Sequence, residues 1–124
     1  MQSTSLTGRT ILVVEDEPLI AIDIGRCFEA AGARVVMARS LQAALLAVQD
    51  PNLTAAVVDH ALPDGDTSKL CEHLKERNIP FIVHSGYSQL DGACADGVQV
   101  GKPADPKVLV TTVEGLLRSH PISH

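Results

Sequence analysis

Aromatic residues are nearly missing from this chain of 124: two Phe, one Tyr and no Trp. Stacking on bases or sugars is poorly supported, and the core has to be built from Val, Ile, Leu and Ala. A basic excess is missing too. Ten Lys and Arg stand against fifteen Asp and Glu, a formal net charge of −5. That argues against a nucleic-acid-binding module, which would carry a basic patch. The three cysteines, Cys27, Cys71 and Cys94, include no CxxC pair. Neither a disulfide framework nor a zinc site is expected, and free thiols in a reducing cytosol are the simpler reading. No apolar run approaches the ~20 residues that span a membrane. The opening MQSTSLTGRT lacks the hydrophobic stretch of a secretory signal. The expectation is a single soluble, cytoplasmic domain with neither nucleic acid nor membrane as partner.

Short apolar runs alternate with helical patterns. The first nine residues are small and polar and read as a flexible tail. Ile11 to Val14 is an unbroken aliphatic run, the signature of a strand covered on both faces. Pro18 suits the first turn of a helix carrying Ile20, Ile24, Cys27, Phe28 and Ala31, with Gly32 as its C-terminal cap. Strands follow at Arg34 to Met37, Ala55 to Val58, Pro80 to Val83 and around Gln99. A helix capped by Ser40 carries Leu41, Ala44, Leu45 and Val48. Another, capped by Asp66 or Thr67, carries Leu70, Cys71 and Leu74. The last opens at Asp105-Pro106 and buries Leu109, Val113, Leu116 and Leu117. Only thirteen residues separate Ser85 from Gln99, with Gly86, Gly92 and Gly97 among them, so a fourth helix has to be short or disordered. This alternation implies an α/β domain over 10–119, with five parallel strands, helices on both faces, and 120–124 left as a tail. Ligands of such sheets bind at the carboxyl ends of the strands.

Those ends carry Glu15 and Asp16, Asp59, Ser85 and Lys102. Were strand one to lie beside strand three, three carboxylates would meet, and like charges that close raise each other's pKa unless a cation joins them. Mg²⁺, a hard cation that keeps waters and leaves room for phosphate oxygens, is the natural occupant. A carboxylate can itself attack phosphorus. Lys102 could neutralise the added phosphoryl group, and Ser85 could donate a hydrogen bond to it. The constellation suits phosphoryl acceptance, where catalysis is mostly positioning and charge neutralisation.

In these residues the sequence resembles the receiver domain of bacterial two-component response regulators. The matching pieces are Ile11-Leu12-Val13-Val14-Glu15-Asp16-Glu17-Pro18, Asp59 with Leu62-Pro63-Asp64-Gly65, Ser85-Gly86-Tyr87, and Lys102-Pro103 followed by Asp105-Pro106. The resemblance implies a flavodoxin-like (βα)₅ fold. It implies Asp59 as phosphoacceptor, fed by a sensor histidine kinase or a histidine phosphotransfer protein, with self-phosphorylation from small donors and self-dephosphorylation as its only enzyme-like activity. It further implies Mg²⁺ held by Asp16, Asp59 and the backbone carbonyl of Ala61, with Glu15 acting through water, and Lys102 and Ser85 on the phosphoryl group. The family's Lys-Pro bond is commonly cis, which makes Lys102-Pro103 a candidate.

Gln99 stands where many receivers carry a switching Tyr or Phe. With Ser85-Gly86-Tyr87, that resembles the FATGUY subgroup, whose partners are histidine-tryptophan-glutamate (HWE) kinases. Tyr87 and the segment from Gly86 to Gly97 then become the candidate switch, ordering when Ser85 and Lys102 close on the phosphoryl group. With only 118–124 after the receiver, the expectation is a stand-alone regulator acting by protein contact on an unknown downstream partner. An aspartyl-phosphate phosphatase is the enzymatic alternative, although Asp59-His60-Ala61 lacks the second acid of Asp-x-Asp. A pseudo-receiver that only binds partners is the other. Taken singly, Glu15-Asp16 could be a helix-start signal, Asp59 a turn residue and Lys102 a solvated lysine. His60 and His84 have no second histidine at metal-ligand spacing and read as surface or partly buried residues.

Overall fold

The computed structural model describes residues 5–60, 62, 64–65, 67–86, 92–102 and 104–119. The apolar runs form β1 (Thr10–Val14), β2 (Arg34–Ala38), β3 (Leu53–Asp59), β4 (Phe81–Ser85) and β5 (Val98–Gly101). They make one sheet in the order β2-β1-β3-β4-β5, each neighbouring pair parallel. This is the flavodoxin-like arrangement, with its switch point beside β1. Among the described residues, four α-helices cover the two faces: α1 (Pro18–Ala30), α2 (Leu41–Ala47), α3 (Ser68–Glu76) and α4 (Pro106–Ser119).

Side-chain alternation divides the core into two layers. Leu12, Val14, Ala56, Val58 and Val83 face Ala44 of α2 and Leu70 and Leu74 of α3. Ile11, Val13, Ala55, Val57 and Ile82 face Ile24 and Phe28 of α1 and Leu109 and Val113 of α4. Every residue of β1 is buried, because β1 is flanked by strands and covered by helices. The outer β5 is mostly exposed. Ser40 caps α2 as expected, its hydroxyl accepting from the Ala43 amide at 3.1 Å. Asp105 does the same before α4, accepting from the Lys107 amide at 2.9 Å. Gly32 follows α1 at φ +98, the conformation that a C-terminal cap requires.

Several expectations give way to packing. The stretch taken for a flexible tail is anchored at Leu6. That side chain is buried in the α1–α4 layer, and its amide donates to the Ala31 carbonyl at 2.9 Å; residues 1–4 and 120–124 lie outside the described residues. Ile20 is not core: it is 42% exposed in the first turn of α1. Thr67 occupies the position before α3, but its hydroxyl makes no capping bond. Instead it faces the Cys94 sulfur at 3.7 Å. Between β4 and β5 the described residues hold one 3-10 helix, Gly92–Asp96, where a fourth α-helix would otherwise stand.

The largest departure concerns the cysteines. Cys71 on α3 and Cys94 on the 3-10 helix are joined by a disulfide, their α carbons 5.1 Å apart, while Cys27 remains free. Cysteines far apart in sequence meet here because α3 and the β4–β5 connection pack against the same side of the sheet.

Two glycines test this packing in opposite directions. A β carbon at Gly97 would stand 2.6 Å from Cδ2 of Phe81 and 3.0 Å from its carbonyl oxygen, so the ring must move. Gly97→Ala should cost about 1–3 kcal/mol, the usual range for overpacking. A β carbon at Gly115, inside α4, would meet only the tip of Arg118 at 3.8 Å. Gly115→Ala should stabilise by about 1 kcal/mol through helix propensity. Urea unfolding of both variants checks the pair; equal effects would contradict the packing described.

Candidate functional site

The register of β1 on β3, with Val14 opposite Val58, brings the residues that follow β1 out beside Asp59 at the end of β3. One ligand oxygen each from Glu15, Asp16 and Asp59 lies within 4.8 Å of the others. Glu15 and Asp59 are buried and Asp16 is half-buried. Lys102, following β5, reaches across and places its Nζ 2.8 Å from Oδ1 of Asp59. β4 lies between these two strands and ends on Ser85, which is 3% exposed. The Ser85 carbonyl accepts from the Lys102 amide at 2.8 Å, tying the two strand ends together.

Crowding carboxylates in a buried place has an electrostatic cost. The Glu15 pKa is pushed up from 4.5 to about 7, first by burial, then by the charge of Asp59 and a hydrogen bond to it. The Glu17 amide, which donates to Oε1 at 3.2 Å, and the Lys102 charge act in the opposite direction. Oε2 of Glu15 is buried with no hydrogen-bond partner among the described residues. A buried carboxylate with one orphaned oxygen, beside two further carboxylates, fits a hard divalent cation, which takes oxygen ligands and can be reached through water.

Four of the residues singled out in the sequence, Glu15, Asp16, Asp59 and Lys102, thus converge, with Ser85 at the adjoining strand end. Gln99 lies exposed on β5, opposite Val83 of β4. Ala61, Tyr87 and Pro103 lie outside the described residues, and with them the carbonyl ligand, the aromatic switch and the Lys102-Pro103 bond. Part of the segment expected to order on phosphorylation is already helical at Gly92–Asp96.

The surroundings of two residues near the site differ from what the sequence suggested. His84, read as a surface or partly buried residue, is 5% exposed, and both ring nitrogens lack partners among the described residues. It lines a cavity of about 210 Å³ with Ile20, Ile24 and Pro106. Burial, then the Lys102 charge, lowers its pKa against the pull of Asp59. Asp64, read as part of a turn, accepts from the Leu41 and Gln42 amides at 2.8 and 3.2 Å. These bonds hold its carboxyl below the usual range and join the segment after Asp59 to the first turn of α2. Acids favour helix N-termini, but nothing local in the sequence pairs Asp64 with a helix that precedes it.

The Glu15 shift has a definite sign. Without metal, the folded protein holds this proton up to about pH 7, whereas the unfolded chain releases it near 4.5. The stabilisation is complete below the lower value and disappears as pH rises through the upper one, a change on the order of 3 kcal/mol. His84 acts oppositely in an overlapping window, because its neutral form is favoured in the fold. The informative quantity is therefore the difference between wild type and Glu15→Gln. Melting temperatures of metal-free protein from pH 5 to 8 should fall more, or rise less, in the wild type. Parallel curves would remove Glu15 as the cause.

Comparison with known proteins agrees with this geometry. Residues 11–114 match the family model described as the response regulator receiver domain. The phosphate regulon transcriptional regulatory protein PhoB of Pseudomonas aeruginosa is 29% identical over 91% of this chain, which spans only 53% of that relative. A CheY-like receiver domain from Methanospirillum hungatei superimposes with a TM-score of 0.80 at 25% identity, over 90% of this chain and 95% of that one. The response regulator TrrA of Thermotoga maritima, solved in complex with Mg²⁺-BeF, gives a TM-score of 0.77 at 23% identity, over 88% of this chain and 99% of that one. From its first strand into its last helix, the chain belongs to the response regulator receiver domain family, the phosphoacceptor modules of two-component signalling.

Proposed function

We propose that Asp59 is the phosphoacceptor of this receiver, taking its phosphoryl group from a sensor histidine kinase or a histidine phosphotransfer protein. The observation that carries this reading is the Asp59 carboxylate itself. It belongs to the three-acid cluster and also holds the Lys102 ammonium at 2.8 Å. In the proposed step a carboxylate oxygen of Asp59 bonds to phosphorus as the bond from phosphorus to the donor imidazole nitrogen breaks, and the imidazole is released. Lys102 offsets charge on the transferred group, and the Ser85 hydroxyl donates to one of its oxygens. Both groups come from strand ends beside Asp59, where they can meet the charge of the transferred group.

Asp16 and Asp59 would hold Mg²⁺ directly, with the Ala61 carbonyl, and Glu15 through water. The ion would supply charge neutralisation and orientation for the phosphoryl oxygens. The Mg²⁺-BeF complex of TrrA supports this assignment by family likeness. We further assign the chain to the FATGUY subgroup, on Ser85-Gly86-Tyr87 and Gln99, with an HWE kinase as donor and the cytosol as its place of work. Its formal charge of −5 favours a protein contact over nucleic acid as the output. Among the described residues, no helix is long and apolar enough to cross a membrane.

Asp59→Asn should abolish labelling by acetyl phosphate in the presence of Mg²⁺, read by intact mass. Labelling that persists undiminished at another residue would overturn the assignment. Mg²⁺ at ten times its Kd should stabilise the wild type by about 1.4 kcal/mol through mass action. Asp16→Ala should lose most of that gain in thermal melts; an equal response in the two proteins would exclude Asp16 as a ligand.

A further inference from the structure

The connection between β4 and β5 leaves the sheet at Ser85, beside the site, and returns to it at Val98, which pairs with Ile82 at the end of β5 away from the site. Its 3-10 helix is held to α3 in three ways. Cys94 is disulfide-bonded to Cys71. The Thr67 hydroxyl lies 3.7 Å from the Cys94 sulfur. The Lys75 ammonium meets the Asp96 carboxylate at 2.7 Å. α3 is in turn the element that follows Asp59. A covalent bond therefore links the segment after the candidate acceptor to the segment after Ser85. Both cysteines are core residues, at 0% and 2% exposure, and Cys27 takes no part.

Resting on the phosphoacceptor reading above, we propose that Cys71 and Cys94 form a reversible thiol–disulfide couple, a redox modification site that sets how firmly the 3-10 helix is held to α3 and hence how fast Asp59 is phosphorylated. A receiver fed by a kinase works in a reducing compartment. Disulfides formed there are usually transient and redox-sensing rather than permanent staples. The oxidant is a hydroperoxide. The Cys94 thiolate attacks one peroxide oxygen, the O–O bond breaks, and the departing oxygen takes up the thiol proton, leaving a sulfenic acid on Cys94. The Cys71 sulfur then attacks that sulfur, and the hydroxyl leaves as water with the Cys71 proton. Two S–H bonds and one O–O bond are lost, and one S–S bond and two O–H bonds are gained. Two electrons pass from the sulfurs to the peroxide, and a dithiol returns them.

Cys94 reacts first because of where it sits. Its 3-10 helix is a single short element beginning at Gly92, φ +65. Such turns have poorer hydrogen bonds than α-helix and open locally at low cost. Cys71 lies within the regular turns of α3. When the pair is reduced, the covalent tie disappears, and the Lys75–Asp96 ion pair that remains is about half exposed on both partners, a class of contact that contributes little. A new phosphoryl charge would draw Ser85 and Lys102 inward, a movement that the covalent tie resists.

The test uses the whole protein, reduced with dithiothreitol or treated with stoichiometric hydrogen peroxide. Oxidation should lower the mass by two hydrogen atoms and link the tryptic peptides 70–75 and 78–107, with Cys27 still open to alkylation. Amides of the 3-10 helix should exchange at least about tenfold more slowly when oxidised. Acetyl phosphate labelling should be slower by about threefold or more. Cys94→Ala should abolish both redox effects. Thiols that never pair under peroxide, or oxidised and reduced protein with equal exchange and equal labelling, would overturn the proposal. Absence of labelling in both redox states would instead refute the phosphoacceptor reading, leaving mass and exchange to decide on the couple. Because the main comparison is between two states of the wild type, it stands even if the variant fails to fold.

Discussion

Four ionisable groups crowded at the carboxyl ends of parallel strands set the terms for the rest of this molecule. Glu15, Asp16 and Asp59 lie within 4.8 Å of one another by one oxygen each. In a buried setting that arrangement persists only if the negative charge is offset. Two offsets are built in: the Lys102 ammonium against Asp59, and a proton retained on Glu15 to about pH 7. Both depend on the sheet. β1 must lie beside β3 to gather the acids, and β5 must lie beyond β4, close enough for a long lysine side chain to cross β4. The aliphatic strands therefore do more than fill the core; they hold like charges together.

Much of this was legible in the sequence because it rests on local rules. Unbroken runs such as Ile11 to Val14 are required wherever both faces of a strand are covered, and chemistry collects where those runs stop. Glu15, Asp16, Asp59 and Lys102 follow from that reading alone once the strand order is given. Ser40, Gly32 and Asp105 were readable for the same reason, since each cap is satisfied within its own turn. What stayed hidden depends on distance in the chain. Cys71 and Cys94 are 23 residues apart and belong to different elements, so no spacing rule pairs them. Asp64 satisfies amides of a helix that comes before it. Leu6 is a single apolar residue in a polar stretch, and only the fold provides the pocket that buries it. His84 alternates with core residues along β4, a position whose burial outweighs the usual surface preference of histidine.

The two faces of the sheet also differ in character. On one side α1 and α4 pack over aliphatic residues and Phe28, with His84 the polar exception near the site. On the other, α3 is joined to the β4–β5 connection by a disulfide and an ion pair, and the segment after Asp59 bonds to α2 through Asp64. Polar and covalent ties thus join Asp64 and the 3-10 helix to the α2–α3 side.

The all-parallel pairing has a consequence for assembly. No two neighbouring strands are joined by a tight turn, so the sheet cannot grow from hairpins, and every pairing waits on a crossover connection. The acids come from the first and third strands and the lysine from beyond the last. A fragment ending before β5 would keep the carboxylates, lose their counter-charge and expose β4 as an open edge. The site is accordingly a property of the finished domain. Partial unfolding that detaches β5 takes the counter-charge with it.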